Sequence, residues 1–225
     1  MNVIKPKGML FDMDGVITIL TNNMRAWRIA FRAKAGIEMA DDDWYRLEGM
    51  SPQEISEKIL INNNHVVTPE LVKEIADLKQ LIFNNISAKK KVELYPFVQE
   101  MLTFLKRHNV KVGLVTGSVL ERVKGSLSKE VLEMFDAIVT ADEVRQRKPS
   151  PDPFLRGASL LGLTTGECWA VENAPLGVIS ARKAGCFCVA LMTTLRDKSK
   201  LSNVGANVIF DSHKDLLDHF RQTFK

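Results

Sequence analysis

Two aspartates lie two residues apart at the end of a short apolar segment near the N-terminus. Residues 9–16 read Met-Leu-Phe-Asp-Met-Asp-Gly-Val, which predicts a buried strand that runs into a turn. Side chains two positions apart on a strand share a face, so Asp12 and Asp14 would point to the same side. Neighbouring carboxylates repel each other unless a cation or a proton lies between them. The pair is therefore a candidate for metal or acid–base chemistry, with an ordinary Asp-Gly turn as the alternative.

Two further polar segments follow apolar runs. Thr116-Gly117-Ser118 offers a hydroxyl and a glycine turn, in which backbone N–H groups can face an anion. Glu172-Asn173 offers an acid and an amide, although an asparagine before a helix is most often only an N-cap.

A lysine lies in a loop that is rich in proline. Lys148 belongs to the segment Arg-Lys-Pro-Ser-Pro-Asp-Pro over residues 147–153. Because proline fixes its backbone φ angle, the three prolines would hold the lysine in place. The alternative is a solvated basic turn, since Arg145 and Arg147 lie beside it.

Short apolar runs alternate with amphipathic segments along most of the chain. Helices are predicted to begin near Pro96, at Asp152-Pro153 and at Pro175. Alternating strands and helices indicate an α/β fold with a doubly wound parallel sheet. The predicted strands are Met9–Phe11, Val110–Val115, Ala137–Thr140, Cys168–Val171, Val189–Leu191 and Val208–Phe210.

All the polar segments fall at the carboxyl ends of these strands, where such sheets place their ligands. Together they supply carboxylates, an amide, a hydroxyl with a glycine turn, and an ammonium group. Hard oxygen ligands with room for water suit Mg²⁺. The remaining donors suit a phosphoryl group.

Residues 17–93 interrupt this alternation with a purely helical pattern. A helix around Trp27 ends near Gly36, the sequence Ser51-Pro52-Gln53-Glu54 forms a capping box, and another helix starts at Thr68-Pro69. We therefore predict an α/β core of residues 1–16 and 94–225, with a helical cap domain (17–93) inserted after the first strand.

The composition limits the possible functions. The chain has 225 residues, of which 45% are hydrophobic, with 31 Lys+Arg against 27 Asp+Glu. That share of apolar residues excludes a mostly disordered chain, and the mild charge excess gives no reason to expect nucleic acid as a partner. No apolar run reaches the roughly 18 residues of a membrane span. Acidic residues interrupt the first apolar patch, so we expect no signal peptide. Three cysteines suit a reducing compartment, and we expect a cytoplasmic protein.

Four ordered segments resemble the motifs of the haloacid dehalogenase superfamily, in its phosphatase and β-phosphoglucomutase-like branch. They are Asp12-Met13-Asp14-Gly15-Val16, Thr116-Gly117-Ser118, Lys148 in Lys-Pro-Ser-Pro-Asp-Pro-Phe, and Glu172-Asn173. The resemblance covers nearly the whole chain and implies a Rossmann-like core. The helical insertion resembles the cap that this family carries between its first two motifs.

The resemblance implies roles for these residues. Asp12 would be a nucleophile that forms an aspartyl-phosphate, and Asp14 would be the general acid and base. The substrate would be a small phosphorylated metabolite, such as a sugar phosphate or phosphoglycolate. The remaining implied roles are Mg²⁺ binding by Asp12, Asp14 and Asn173, binding of the transferring phosphate by Thr116, Gly117 and Lys148, support from Glu172, and contact of Glu48, Gly49, Met50 and Ser51 with the leaving group.

Some positions depart from the family pattern. The fourth motif usually reads Glu-Asp, so Asn173 removes a charge and would weaken Mg²⁺ binding. Ile19-Leu20 stands where Asp-Ser or Asp-Thr is common. A phosphomutase needs a basic cap residue for a second phosphate, and the loop over residues 47–52 offers Glu48 instead.

Several alternatives therefore stay open beside a phosphatase. They are a phosphomutase, a metal-free dehalogenase, which has no need of Asp14, and a catalytically weak metabolite-binding protein.

Overall fold

A six-stranded parallel sheet forms the centre of the molecule. The computed structural model describes residues 5–40, 43–44, 46–47, 50–89 and 92–224. The strands follow the order β3-β2-β1-β4-β5-β6 across the sheet. Their bounds are β1 Gly8–Phe11, β2 Lys111–Val115, β3 Ala137–Val139, β4 Cys168–Glu172, β5 Phe187–Leu191 and β6 Val208–Phe210. The predicted α/β fold with a doubly wound parallel sheet is confirmed.

Helices connect the strands and cover both faces of the sheet. Two 3-10 turns, at Ala141–Glu143 and Thr165–Glu167, complete the connections. The helices are α1 Thr21–Ala35, α2 Pro52–Asn62, α3 Pro69–Lys89, α4 Val98–Arg107, α5 Leu120–Ser126, α6 Lys129–Leu132, α7 Asp152–Leu160, α8 Pro175–Ala184, α9 Ser199–Ser202 and α10 His213–Thr223. No helix in the described ranges is long and apolar enough to span a bilayer.

The alternation of side chains along β1 divides the core into two layers. Met9 and Phe11 pack on one face with apolar residues of α4 and α10. Leu10 packs on the other face with residues of α7 and α8. Both faces of a central parallel strand are buried, which explains its continuous apolar sequence. The free cysteines Cys168, Cys186 and Cys188 are buried in the second layer, as expected of small apolar residues.

One predicted helix boundary is wrong. The sequence predicts that a helix opens at Pro96, whereas α4 begins at Val98. Phe97 adopts a left-handed φ of 69°, which a helix cannot include. The helix therefore starts only after this residue.

Helices α1 to α3 lie in the chain between β1 and β2 and have a hydrophobic cluster of their own. Trp27 and Phe31 of α1 pack there with Ile59 of α2 and Ile75 of α3. The predicted capping box is present: Ser51 Oγ accepts from Glu54 N, and Glu54 accepts from Ser51 N. Gly36 ends α1 in a left-handed conformation, as its position after the amphipathic segment predicts.

The chain enters and leaves this helical segment at adjacent points. Ile19 N donates to Glu93 O, and Tyr95 N donates to Ile17 O. We call the two connections, residues 16–19 and 93–95, the crossings. Helix α10 contacts both, because His213 Nε2 donates to Val16 O at 2.6 Å and the His213 ring stacks on Tyr95. The two crossings are therefore tied to each other and to the sheet.

We expect Leu10→Ala to lower the free energy of unfolding by about 2–5 kcal/mol, because it leaves a cavity at the centre of the sheet. Leu10 is fully buried, and its side chain lies where Gly113 and Gly157 leave room for it. Leu155→Ala is the matched control, since Leu155 is 46% exposed on α7 and should change little. Urea unfolding measures both variants. Equal losses would contradict this account of the core.

Candidate active site

A buried lysine binds two carboxylates at the carboxyl ends of the central strands. Lys148 Nζ donates to Asp12 Oδ1 at 2.5 Å, to Glu172 Oε1 at 2.6 Å and to the carbonyl of Val115 at 3.1 Å. Asp12 directly follows β1, Val115 is the last residue of β2, and Glu172 is the last residue of β4. Lys148 is only 5% exposed, so the solvated basic turn is wrong for this residue. An ammonium group has three donors, and here all three are used.

Burial of these charges shifts their protonation equilibria. Burial raises the pKa of Asp12 to about 7, with further increases from Glu172 and Asp14 and an opposing decrease from Lys148. Burial by itself would lower the pKa of Lys148, but Asp12 and Glu172 outweigh it and raise that pKa. The lysine is therefore a permanent cation. The carboxylates outnumber it, so a further cation would stabilise ionised Asp12.

A glycine makes room for the carboxylate of Glu172. A Cβ atom at Gly177, in the first turn of α8, would lie 2.1 Å from Glu172 Cδ. The other carboxylate oxygen, Oε2, accepts from Asn173 N at 3.1 Å. The absence of a side chain at 177 thus allows Glu172 to face Lys148.

Asp14 lies beside a second group of donors. Arg122 Nη2 donates to Asp14 Oδ1 at 2.9 Å, and Arg122 Nη1 donates to Ser118 Oγ. Ser118 Oγ and Thr18 Oγ1 each lie 3.4 Å from Asp14 oxygens. Thr116 Oγ1 accepts from Ser118 N, which fixes the turn after β2. Asp14 is thus held over the cavity next to this turn.

The loop after β5 positions the amide that follows β4. Asn173 is fully buried, and its Nδ2 donates to Thr194 Oγ1 at 3.2 Å. Thr193 Oγ1 donates to the carbonyl of Gly15 at 2.6 Å. Gly15 has a φ of 86°, and a Cβ atom there would lie 2.2 Å from Asn173 Nδ2. The turn after Asp14 therefore packs directly on the side chain of Asn173.

The donor set at this edge of the sheet fits a Mg²⁺ ion. Asp12 offers a carboxylate oxygen, Asp14 its backbone carbonyl and Asn173 an amide oxygen, and all three are hard ligands. Within the described ranges, no group of three or more His, Cys, Asp or Glu side chains is arranged to hold a metal. A site of this kind would combine few protein ligands with several waters, which is the manner in which Mg²⁺ is usually bound. Burial is the main cause of the raised pKa of Asp12, with Glu172 and Asp14 adding to it. A cation bound here would favour the ionised carboxylate.

A cavity of about 290 Å³ opens above these residues. Its floor includes Asp12, Asp14, Lys148 and the turn at Thr116 and Gly117. The helical segment forms the opposite wall with Asn23, Trp27, Trp44, Met50, Pro52, Gln53, Ile55, Lys79 and Gln80.

The four cap residues expected near the leaving group have different positions. Met50 lines the cavity. Ser51 caps α2 and is not among the lining residues. Glu48 and Gly49 lie outside the residues that the structure describes.

Sequence reasoning missed two cations that line this cavity. Arg122 lies on α5, four residues after Ser118 of the Thr116-Gly117-Ser118 segment. Lys79 lies on α3 between Ile75 and Phe83, each four residues away, so it occupies the buried face of its helix. A lysine at that spacing in an apolar stripe was the available signal. The loop over residues 47–52 argued against a phosphomutase because it offers no basic residue. Lys79 corrects that argument, since it places a basic residue on the cavity wall opposite Asp12.

Comparison with known proteins agrees with the fold and the motifs. A model of the family described as Haloacid dehalogenase-like hydrolase matches residues 9–191. Over 191 residues the chain is 28% identical to Hexitol phosphatase A of Escherichia coli, and the match covers 82% of each protein. It superimposes with a TM-score of 0.82 on a provisionally named beta-phosphoglucomutase from Bacteroides vulgatus, at 30% identity, covering 99% of this chain and 90% of the other.

A further relative is much longer than this chain. Over 210 residues, 92% of the chain, it is 29% identical to Protein SUPPRESSOR OF QUENCHING 1, chloroplastic, of Arabidopsis thaliana. The chain spans 20% of the length of that protein.

We expect Gly177→Ala to destabilise the protein by about 1–3 kcal/mol, because the new methyl group would displace the carboxylate of Glu172. Gly166→Ala is the control, since a Cβ atom there meets nothing within 4 Å. Thermal unfolding of both variants in one buffer measures the difference. A Gly177→Ala protein as stable as Gly166→Ala would contradict the tight packing of Glu172.

Proposed function

Because the chain belongs to the haloacid dehalogenase-like hydrolase family, we propose that it is a Mg²⁺-dependent phosphatase of small phosphorylated metabolites. Asp12 would carry the phosphoryl group between the two halves of the reaction. The observation that carries this proposal is the contact of Lys148 with Asp12 beneath a cavity that also exposes Asp14. A buried ammonium beside a carboxylate at a cavity floor suits the transfer of a dianionic group.

In the first step Asp12 would attack the phosphorus atom of the ester. Lys148 holds Oδ1, and no hydrogen bond to Oδ2 occurs among the described residues, so Oδ2 is the attacking oxygen. The bond between phosphorus and the ester oxygen breaks as the new bond forms. Protonated Asp14 gives its proton to the leaving alkoxide, which departs as an alcohol.

In the second step water would hydrolyse the aspartyl-phosphate. Asp14, now a carboxylate, takes a proton from the water as its oxygen attacks phosphorus. The bond to Asp12 breaks, which releases inorganic phosphate and restores the Asp12 carboxylate. Splitting one displacement into two in this way is the advantage of a nucleophilic carboxylate.

Several groups would hold the transferring phosphoryl oxygens and the metal. Lys148, Thr116 and the backbone of Gly117 line the cavity floor and would bind the oxygens. Mg²⁺, when bound, would supply positive charge that favours ionised Asp12 and offsets the charge of the phosphoryl group. Asp12, the backbone carbonyl of Asp14 and the side chain of Asn173 would hold it.

A phosphomutase is the second candidate, and Lys79 is the observation that favours it. A mutase returns the phosphoryl group from Asp12 to a second hydroxyl of a sugar phosphate, so its cavity must hold a bisphosphate. Lys79 places a cation on the wall opposite the nucleophile. Conversion of one hexose phosphate isomer to another, dependent on a bisphosphate primer, would identify this activity.

We expect the purified protein with Mg²⁺ to release phosphate from p-nitrophenyl phosphate. Asp12→Asn should lower the rate at least about 1,000-fold, because an amide is a poor nucleophile. Asp218→Asn, a change at a partly exposed residue of α10, is the control and should leave the rate intact. Colorimetric phosphate release measures all three proteins. An Asp12→Asn protein with full activity would overturn the mechanism.

We expect Asn173→Asp to tighten Mg²⁺ binding by roughly tenfold, because it adds a negative charge to a buried ligand position. Isothermal titration of the protein with Mg²⁺ measures this without turnover. Asn63→Asp at the end of α2 is the matched control, because it adds the same charge elsewhere. Unchanged or weaker affinity in Asn173→Asp would remove Asn173 from the proposed metal site.

A further inference from the structure

Asp14, the acid–base group of the proposed reaction, is held by an arginine that the mechanism above does not use. Arg122 Nη2 donates to Asp14 Oδ1 at 2.9 Å, and Arg122 Nη1 donates to Ser118 Oγ. The two side chains of this ion pair are only 15% and 18% exposed. A fully exposed pair would hold no fixed geometry. This pair is shielded from water, and the planar guanidinium contacts two neighbours at once.

From this contact, and resting on the phosphatase function proposed above, we propose that Arg122 is the positioning residue of Asp14. It holds Oδ1, so that Oδ2 exchanges the proton with the leaving oxygen and then with water. Arg122 thereby acts on the reaction through Asp14, without contact with the substrate.

The two carboxylate oxygens of Asp14 have different surroundings. Oδ1 accepts from Arg122 and lies 3.4 Å from Thr18 Oγ1. Among the described residues, Oδ2 has a hydrogen-bond contact only with Ser118 Oγ, at a weak 3.4 Å. A proton on Oδ1 would compete with the arginine for the same oxygen. The contact with Arg122 therefore assigns the proton to Oδ2.

This division of the two oxygens fits both steps of the reaction. In the first step the proton on Oδ2 passes to the ester oxygen as its bond to phosphorus breaks. In the second step Oδ2 takes a proton from water as the water oxygen attacks phosphorus. Oδ1 keeps its contact with Arg122 throughout, so the carboxylate of Asp14 has one orientation for both transfers.

Arg122 is itself held in place by groups on both sides of the cavity. Its Cζ lies 4.8 Å from the centroid of Phe83 on α3, close enough for the ring to attract the guanidinium. Val123, the next residue, is fully buried in the core. Leu120 N donates to Asp142 Oδ2 at 2.9 Å, which fixes the start of α5. The guanidinium is therefore oriented before any substrate binds.

The orientation of the guanidinium satisfies Asp14 at the expense of Arg122. Arg122 Nε is buried and has no hydrogen-bond partner in the part of the chain that the structure describes. A buried donor without a partner is unfavourable. An arginine kept only for stability would place all its donors on acceptors or in water, so this arrangement points to a role at Asp14.

Two esters that share the phosphate but differ in the leaving group test the proposal. p-Nitrophenyl phosphate releases a stable phenolate, which needs no proton, whereas p-nitrobenzyl phosphate releases an alkoxide, which needs one. Because kcat/KM covers the steps up to departure of the alcohol, it reports the proton transfer from Asp14.

We expect Arg122→Met to lower kcat/KM by at least about 100-fold for the benzyl ester and by less than about tenfold for the phenyl ester. Colorimetric phosphate release measures both. Equal losses for the two esters would overturn the proposal, because an arginine that bound the phosphate or only stabilised the fold would affect them alike.

A control and a second variant accompany this measurement. Arg156→Met makes the same change at an exposed position of α7 and should leave both values unchanged. Arg122→Lys keeps the charge but loses the planar pair of donors, and it serves if Arg122→Met does not fold, which thermal unfolding checks. It should show the same selective loss for the benzyl ester, and equal losses for both esters would again contradict the proposal.

Crystal structures test the positioning without turnover and so separate it from the proposed function. We expect the carboxylate of Asp14 in Arg122→Met to move by at least about 1 Å, a displacement sufficient for a loss of about 100-fold in rate. An unmoved carboxylate would overturn the positioning role. If the unsubstituted protein hydrolyses neither ester, the phosphatase function fails, and the two structures still decide whether Arg122 positions Asp14.

Discussion

The burial of one ammonium group between two carboxylates is the constraint on which the site depends. Lys148 reaches Asp12 and Glu172 only because β1 and β4 are neighbours in the sheet and end at the same edge. Removal of Lys148 would leave two buried carboxylates without their shared cation, which is far costlier than the loss of a surface pair. Gly177 leaves space for the carboxylate of Glu172, and Val115 at the end of β2 supplies the third acceptor for Lys148.

Much of the fold and of the site floor could be predicted from the sequence, because the signals are local. The strands are short apolar runs, and the start of α2 is set by a hydroxyl and a carboxylate three residues apart. The site floor follows from one further rule, that parallel strands end at a common edge. That rule brings Asp12, Lys148 and Glu172 together without any knowledge of side-chain contacts.

The cavity wall could not be predicted in the same way, because it depends on how separate helices pack. Lys79 lines the same cavity as Asp14 because of the orientation of α3, whose Ile75 packs in the cluster around Trp27. The sequence shows that Lys79 shares a face with Ile75, but it does not show what lies opposite. Arg122 reaches Asp14 across 108 positions of the chain, a separation at which no periodicity carries information. The start of α4 is two residues later than predicted because Phe97 adopts a left-handed φ angle, which a phenylalanine gives no reason to expect.

The paired crossings below the helical segment have a consequence for how such a protein can change during evolution. The crossings hydrogen-bond to each other, through Ile19 with Glu93 and Ile17 with Tyr95. The geometry of the sheet therefore does not depend on the length of chain between them. An insertion with adjacent ends adds little loop-closure entropy as it grows. The helical segment can therefore be exchanged or remodelled as a module. New substrates can be acquired there while the nucleophile and its lysine stay unchanged on the sheet.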